Sequence, residues 1–122
     1  MAKKILIVDD EPDIVKVVSF RLQKEGYTVT AAVDGQQGLE LAAAVCPDLI
    51  LLDVTLPKVN GYEVCKRLKA SEALKAIPVV FMTASLATGG FAENFPSTGA
   101  QGYVFKPFDY QHLLNEIQKF LA

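Results

Sequence analysis

Apolar residues fall into two kinds of run that alternate along this chain. Short unbroken runs, Ile5-Leu6-Ile7-Val8, Leu49-Ile50-Leu51-Leu52 and Val79-Val80-Phe81-Met82, read as strands buried on both faces. Between them, apolar residues recur at helical spacing. Asp10-Glu11-Pro12 opens a first helix, with Pro suited to the first turn; Ile14, Val17, Val18 and Leu22 form its stripe, and Gly26 stops it. Tyr27-Thr28-Val29-Thr30 reads as the second strand and Asp34-Gly35 as a turn. Leu39, Ala42 and Ala43 then mark a helix that ends before Pro47. Asp48 to Asp53 forms the third strand, and Asn60 caps a helix bearing Val64, Cys65 and Leu68. The fourth strand runs from Ile77 to Met82, with Pro78 tolerable near its start, and the fifth is Gly102-Tyr103-Val104-Phe105. A last helix begins near Asp109 and carries Leu113, Leu114, Ile117, Phe120 and Leu121.

Strands that alternate with helices predict right-handed βαβ units and a parallel sheet covered on both faces. The expected class is α/β, a flavodoxin-like doubly wound sheet of five strands in the order 2-1-3-4-5. With 122 residues, 51 % of them hydrophobic, the chain suits one domain over residues 1–122. It is too apolar for a disordered chain, and no apolar run approaches the ~18–20 residues of a membrane span. The four apolar residues after Met1-Ala2-Lys3-Lys4 are too few for a secretory signal, so the expected location is cytoplasmic. A net charge of −2 without a basic run argues against direct nucleic-acid binding. Cys46 and Cys65 lack metal-ligand spacing and read as two buried, reduced thiols.

Ligands of open α/β sheets bind beyond the carboxyl ends of the strands, at the switch point between strands 1 and 3. Strand 1 ends in Asp9-Asp10, strand 3 in Asp53, strand 4 in Thr83 and strand 5 in Lys106, so all five should meet at one edge. Any one of them alone would be an ordinary solvated or capping residue. Three carboxylates against one ammonium leave an excess of negative charge that calls for a cation. Mg²⁺ (or Mn²⁺), a hard ion that takes carboxylate and phosphate oxygens, fits that need. Metal, ammonium and hydroxyl together suit an incoming phosphoryl group.

In five segments the sequence resembles the receiver domains of bacterial two-component response regulators, the chemotaxis regulators among them. These are Ile5 to Glu11, Asp48 to Asp53, Leu56-Pro57-Lys58-Val59-Asn60-Gly61-Tyr62-Glu63, Pro78 to Ala84 and Gly99 to Phe108, and the resemblance covers essentially residues 3–121. It implies that Asp53 is the phosphoacceptor, taking the phosphoryl group of a phosphohistidine. Asp10 and Asp53 would bind Mg²⁺ directly, Asp9 mainly through water, and the Thr55 carbonyl would complete the protein ligands. Thr83 would bond a phosphoryl oxygen, Lys106 would pair with Asp53 and then with the phosphoryl group, and Tyr103 would be the aromatic switch. A cis peptide at Lys106-Pro107 would aim the lysine inward. Implied partners are a sensor histidine kinase or phosphotransfer protein, a downstream protein or fused output domain, and a phosphorylation-dependent homodimer. Such a domain is a switch that catalyses only its own phosphorylation and slow dephosphorylation. His112, on the last helix, is expected to be a solvated surface residue.

Leu56 stands where the family often has Met, and Asn60 where Asp is commoner. A larger departure lies between Thr83 and Gly99, where Gly89-Gly90 and Pro96 oppose a helix. The expectation is an irregular or shortened fourth helix of no more than about two turns within 85–98. Two rival classes fit less well. An aspartyl-phosphate phosphatase of the haloacid-dehalogenase type needs a second Asp where Thr55 stands, and a flavin or nucleotide site needs a Gly-rich loop where Asp9-Asp10-Glu11-Pro12 would repel phosphate.

Overall fold

The computed structural model describes residues 2–83, 91–106 and 109–121. The elements in chain order are β1 (Lys4–Val8), α1 (Pro12–Lys24), β2 (Thr28–Ala32), α2 (Gly35–Val45) and β3 (Leu49–Asp53). They continue with α3 (Gly61–Ala70), β4 (Val79–Thr83), α4 (Phe91–Thr98), β5 (Gly102–Phe105) and α5 (Tyr110–Leu121). The strands pair in parallel in the order β2-β1-β3-β4-β5, as the alternation of runs predicts.

The central strands are apolar throughout because alternate residues feed two cores. Leu6, Val8, Ile50, Leu52 and Phe81 face the core that α2 and α3 close with Ala42, Val64, Cys65 and Leu68. Ile5, Ile7, Leu49, Leu51, Val80 and Met82 face the other, closed by Val18 and Leu22 of α1 and Leu113, Leu114 and Ile117 of α5. Both faces being covered, the free ends of the strands are the natural place for polar side chains. Among the described residues, no helix is long and apolar enough to cross a membrane.

Several local expectations are refined. Asp34-Gly35 is a helix start rather than a free turn, with the Asp34 carboxylate accepting from the Gln37 N–H at 2.8 Å. Asn60 caps α3 as predicted, accepting from the Glu63 N–H at 3.0 Å. Val17 does not join the buried stripe of α1; it is 57 % exposed, and Val18 and Leu22 carry the packing. Cys65 is buried, but Cys46 is exposed, contrary to the expectation of two buried thiols. Cys46 closes α2 in the left-handed conformation (φ 50°) and lies at the surface, where the chain leaves the helix before Pro47.

The fourth helix is short, eight residues or about two turns. Pro96 does not end it: Ser97 and Thr98 follow in helical conformation. Their hydroxyls donate to the Asn94 and Phe95 carbonyls at 3.0 and 2.7 Å, which gives carbonyls at the end of the helix side-chain donors. Gly89, Gly90 and Ser85 lie outside the described residues.

The loop from β3 to α3 is fastened directly behind Asp53. Val54 N–H donates to the Met82 carbonyl at 3.3 Å, and Gly61 N–H to the Val54 carbonyl at 2.8 Å. A Cβ on Gly61 would collide with the Asp53 carbonyl oxygen and stand 2.8 Å from the Val54 Cα. Backbone cannot yield as a side-chain tip can. Gly61→Ala should therefore destabilise the protein by about 1–3 kcal/mol, read as a lower urea midpoint. An unchanged midpoint would show that the loop has room to move.

Candidate functional site

The register Val8↔Leu52 and Asp53↔Met82 brings the ends of β1, β3 and β4 level at one edge of the sheet. Asp9 follows β1 there and is fully buried, and Asp53 ends β3 with 6 % exposure. Carboxylate oxygens of Asp9, Asp10 and Asp53 lie within 4.8 Å of one another. Asp10 is exposed at the mouth of this cluster. An acidic group of this kind, open on one side and made only of hard oxygen donors, fits a divalent cation such as Mg²⁺.

Lys106 follows β5 and reaches across the same edge. Its Nζ donates to Asp9 Oδ2 at 2.8 Å, Glu11 Oε1 at 2.7 Å and Asp53 Oδ2 at 3.2 Å. Backbone contacts fix the frame around it. Lys106 N–H donates to the Thr83 carbonyl at 2.7 Å, Glu11 N–H to Asp9 Oδ1 at 2.9 Å, and Thr55 N–H to Asp53 Oδ1 at 3.3 Å. Both oxygens of Asp9 thus have partners, as a fully buried carboxylate requires. Thr83, at the end of β4, is buried at 4 % exposure.

Burial pushes the Asp53 carboxyl up to about 6; Lys106 opposes that rise, and the negative charge of Asp9 adds to it. Burial also acts to lower Lys106. The hydrogen bonds to Asp9 and Glu11 and the charges of Asp53 and Asp9 outweigh it and hold the ammonium above the ordinary lysine range. The lysine is a fixed cation here, and Asp53 is the group whose charge is costly.

Asp9, Asp10, Asp53, Thr83 and Lys106, singled out from strand ends, do meet at one edge. Thr55 joins them through its backbone N–H. Tyr103 sits apart on β5, 39 % exposed, paired with Phe81 in the β4–β5 register. Rings connect it inward: Tyr103–Phe95 at 5.4 Å, Phe95–Phe81 at 6.2 Å and Phe81–Tyr62 at 5.9 Å. Tyr103–Phe105, at 5.2 Å, extends the series along β5. His112 is exposed, as expected. Pro107 lies outside the described residues, and with it the peptide bond to Lys106. Sequence reasoning missed Glu11, the third carboxylate on Lys106. The available signal was its place before Pro12: Glu is a poor N-cap, which leaves its carboxylate free for other work.

The model of the response regulator receiver domain matches residues 5–118. The chain belongs to this family. It is 44 % identical over 118 residues to the DNA-binding dual master transcriptional regulator RpaA of Synechocystis, covering 97 % of this chain and 48 % of that protein. The chain thus spans about half the length of this relative. Among solved structures, the chemotaxis response regulator CheY4 of Vibrio cholerae superposes with TM-score 0.91 at 32 % identity, covering 98 % of this chain and 99 % of that one. The receiver domain of the sensor histidine kinase PA1611 from Pseudomonas aeruginosa does so with TM-score 0.91 at 31 % identity, over 99 % and 98 % of the two chains, and holds a magnesium ion in its active-site cleft. The family is one of two-component signalling switches, and the fold expected from the sequence is the fold of its members.

The raised Asp53 value has a measurable consequence in metal-free protein. An unfolded Asp ionises near 3.8 and the folded one near 6, so the folded state keeps its proton longer. Stability from this group is then full below about pH 4 and is lost as pH rises through 6. Asp53→Asn cannot ionise, so its stability relative to the unsubstituted protein should rise across that interval. The rise is bounded by about 3 kcal/mol. Denaturation of both proteins at pH 4 and pH 7.5 without metal checks it. A difference that does not change with pH would mean that Asp53 ionises normally.

Proposed function

We propose that residues 1–122 form a receiver module that accepts a phosphoryl group on Asp53 from a phosphohistidine, carried by a sensor histidine kinase or a phosphotransfer protein. The observation that carries this reading is a buried carboxylate with a lysine ammonium at 3.2 Å and two more carboxylates within 4.8 Å. An Asp53 oxygen attacks the phosphorus, the phosphorus–nitrogen bond breaks and the imidazole leaves. Asp9, Asp10, Asp53 and the Thr55 carbonyl would hold Mg²⁺ or Mn²⁺. Such an ion, when bound, offsets the carboxylate charge and polarises the phosphoryl oxygens. Lys106 neutralises charge on the transferring group, and Thr83 supplies a hydroxyl. The aromatic series from Phe81 through Phe95 to Tyr103 then offers a route by which a shift at Thr83 reaches the surface of α4 and β5, where a downstream protein, a fused output domain or a second copy would read it. The reading places the protein in the cytoplasm.

The donor's docking surface follows from position. Beside Asp9 and Asp10 a shallow groove is lined by Pro12, Val15 and Val33, and a second, which shares Lys16 with it, is lined by Val17 and Phe20 of α1, 57 % and 58 % exposed. A phosphohistidine that reaches Asp53 brings its helix across this strip, so the strip is assigned to the phosphodonor protein. Such exposed apolar groups beside a functional site are characteristic of binding surfaces.

Incubation with Mg²⁺ and acetyl phosphate should add a single phosphate to the intact protein by mass, and none to Asp53→Asn. Equal incorporation in that variant would exclude Asp53 as the nucleophile. The two routes of phosphorylation separate site from surface. Val17→Asp with Phe20→Asp should slow transfer from a kinase about tenfold or more while leaving acetyl phosphate incorporation unchanged, since hot-spot truncations commonly exceed ~1.4 kcal/mol. Equal rates from the kinase would remove α1 from the docking surface.

A further inference from the structure

Glu11 occupies the N-cap position of α1, yet its side chain makes no capping hydrogen bond. Its backbone is fixed instead, with the N–H on Asp9 Oδ1 at 2.9 Å and the carbonyl accepting from the Val15 N–H at 3.1 Å. The carboxylate is left to reach Lys106, and at 2.7 Å this is the shortest of the lysine's three contacts. An ammonium has three hydrogens to donate, and here all three are taken. We propose that Glu11 is a positioning residue for Lys106: it holds the ammonium on the Asp9 side of the site in the unphosphorylated protein and gives it up when a phosphoryl group arrives on Asp53. The proposal rests on the reading of Asp53 as the phosphoacceptor.

The choice of Glu11 as the partner released follows from burial. Lys106 reaches Asp53 only at 3.2 Å, so it is drawn toward Asp9 and Glu11. An acceptor carried on Asp53 lies further from those two, and the ammonium must slacken one of them to follow it. Asp9 is fully buried, so water cannot take the place of the ammonium there. The Glu11 side chain is 55 % exposed, and water solvates it as the lysine leaves. Exchange at Glu11 is therefore the less costly step. A phosphoryl group at about −1.5 to −2 charge then outcompetes a half-exposed carboxylate for the ammonium.

Beryllium fluoride with Mg²⁺, an unreactive stand-in for the phosphoryl group, tests this at equilibrium. Without Glu11 the lysine no longer has to be released, so Glu11→Gln and Glu11→Ala should bind the probe about three- to tenfold more tightly than the unsubstituted protein. Simple repulsion between Glu11 and the probe would produce a gain too, so the same substitutions are made in Lys106→Met. There the gain should vanish. No gain in the single variants, or an equal gain in the Lys106→Met background, overturns the proposal. Because Lys106→Met leaves Asp9 unpaired and threatens folding, the Lys106 Nζ resonance gives a second reading. Glu11→Gln should move it in the resting protein, and an unmoved resonance overturns the proposal. If the unsubstituted protein takes up no beryllium fluoride, the Asp53 reading fails, and the resonance still decides whether Glu11 holds the ammonium.

Discussion

The Lys106 ammonium donates to carboxylates on Asp9, Glu11 and Asp53 at 2.8, 2.7 and 3.2 Å, and the arrangement of the sheet edge depends on that sharing. Without it, a fully buried Asp9 and a nearly buried Asp53 would repel each other with no cation among the described side chains to separate them. Two carboxylates at such distances are tolerated only if a positive charge lies between them or one takes up a proton. Burial pushes Asp53 up to about 6, and the charge of Asp9 adds to that push. The exposed Asp10 adds a third carboxylate within 4.8 Å, so one lysine cannot balance the cluster. The site therefore has room for positive charge from outside.

Rigidity for this arrangement comes from the elements behind it. The three central strands of the parallel sheet, β1, β3 and β4, have both faces buried, which fixes their ends relative to one another. The loop after β3 is closed by Gly61 packed on the Asp53 carbonyl, and the end of β5 is tied to β4 by the 2.7 Å bond from Lys106 N–H to the Thr83 carbonyl. The side of the molecule bearing α4 is held differently. There Cys65 Sγ donates to the Thr98 carbonyl at 3.3 Å, and ring contacts join Phe95 to Phe81 and Tyr103. An edge held by ion pairs and a flank held by rings over an eight-residue helix respond differently to a new charge. The edge can reorganise only by exchanging partners, while the flank can repack with little loss of buried area.

The sequence was informative wherever one residue type had one physical use. Unbroken runs such as Leu49 to Leu52 could only be doubly covered strands, and a polar residue ending each run had to lie at the shared edge, so the order of the sheet and the meeting of Asp9, Asp10, Asp53, Thr83 and Lys106 were both legible. Residues with two uses were not. Val17 has the spacing of a core residue, but Val18 and Leu22 already fill the contact with the sheet, and Val17 faces outward. Cys46 sits among apolar residues, yet its left-handed backbone at the end of α2 leaves it on the surface. Pro96 opposes a helix by propensity, yet the helix continues through Thr98, with the Ser97 and Thr98 hydroxyls on carbonyls at its end. Each of these outcomes depends on a neighbour that is distant in sequence or on a side-chain bond that periodicity does not encode.

Glu11 shows the same limit at the site itself. Its partner is 95 residues away, and only the register that brings β5 beside β4, and β4 beside β3, puts Lys106 within reach. Local sequence assigns Glu11 to the start of a helix, where a carboxylate is favourable beside the N-terminal dipole. The fold retains that role for its backbone and directs its charge elsewhere. Glu11 is the most solvated of the three acceptors, so it adjusts how firmly the ammonium is held without disturbing the buried pair. A substitution at Asp9 or Asp53 would remove a buried contact that water cannot replace, whereas one at Glu11 changes only the strength of a contact that water can replace. Variation in how tightly such a site grips its lysine is thus cheapest at the position that local sequence marks as a helix cap.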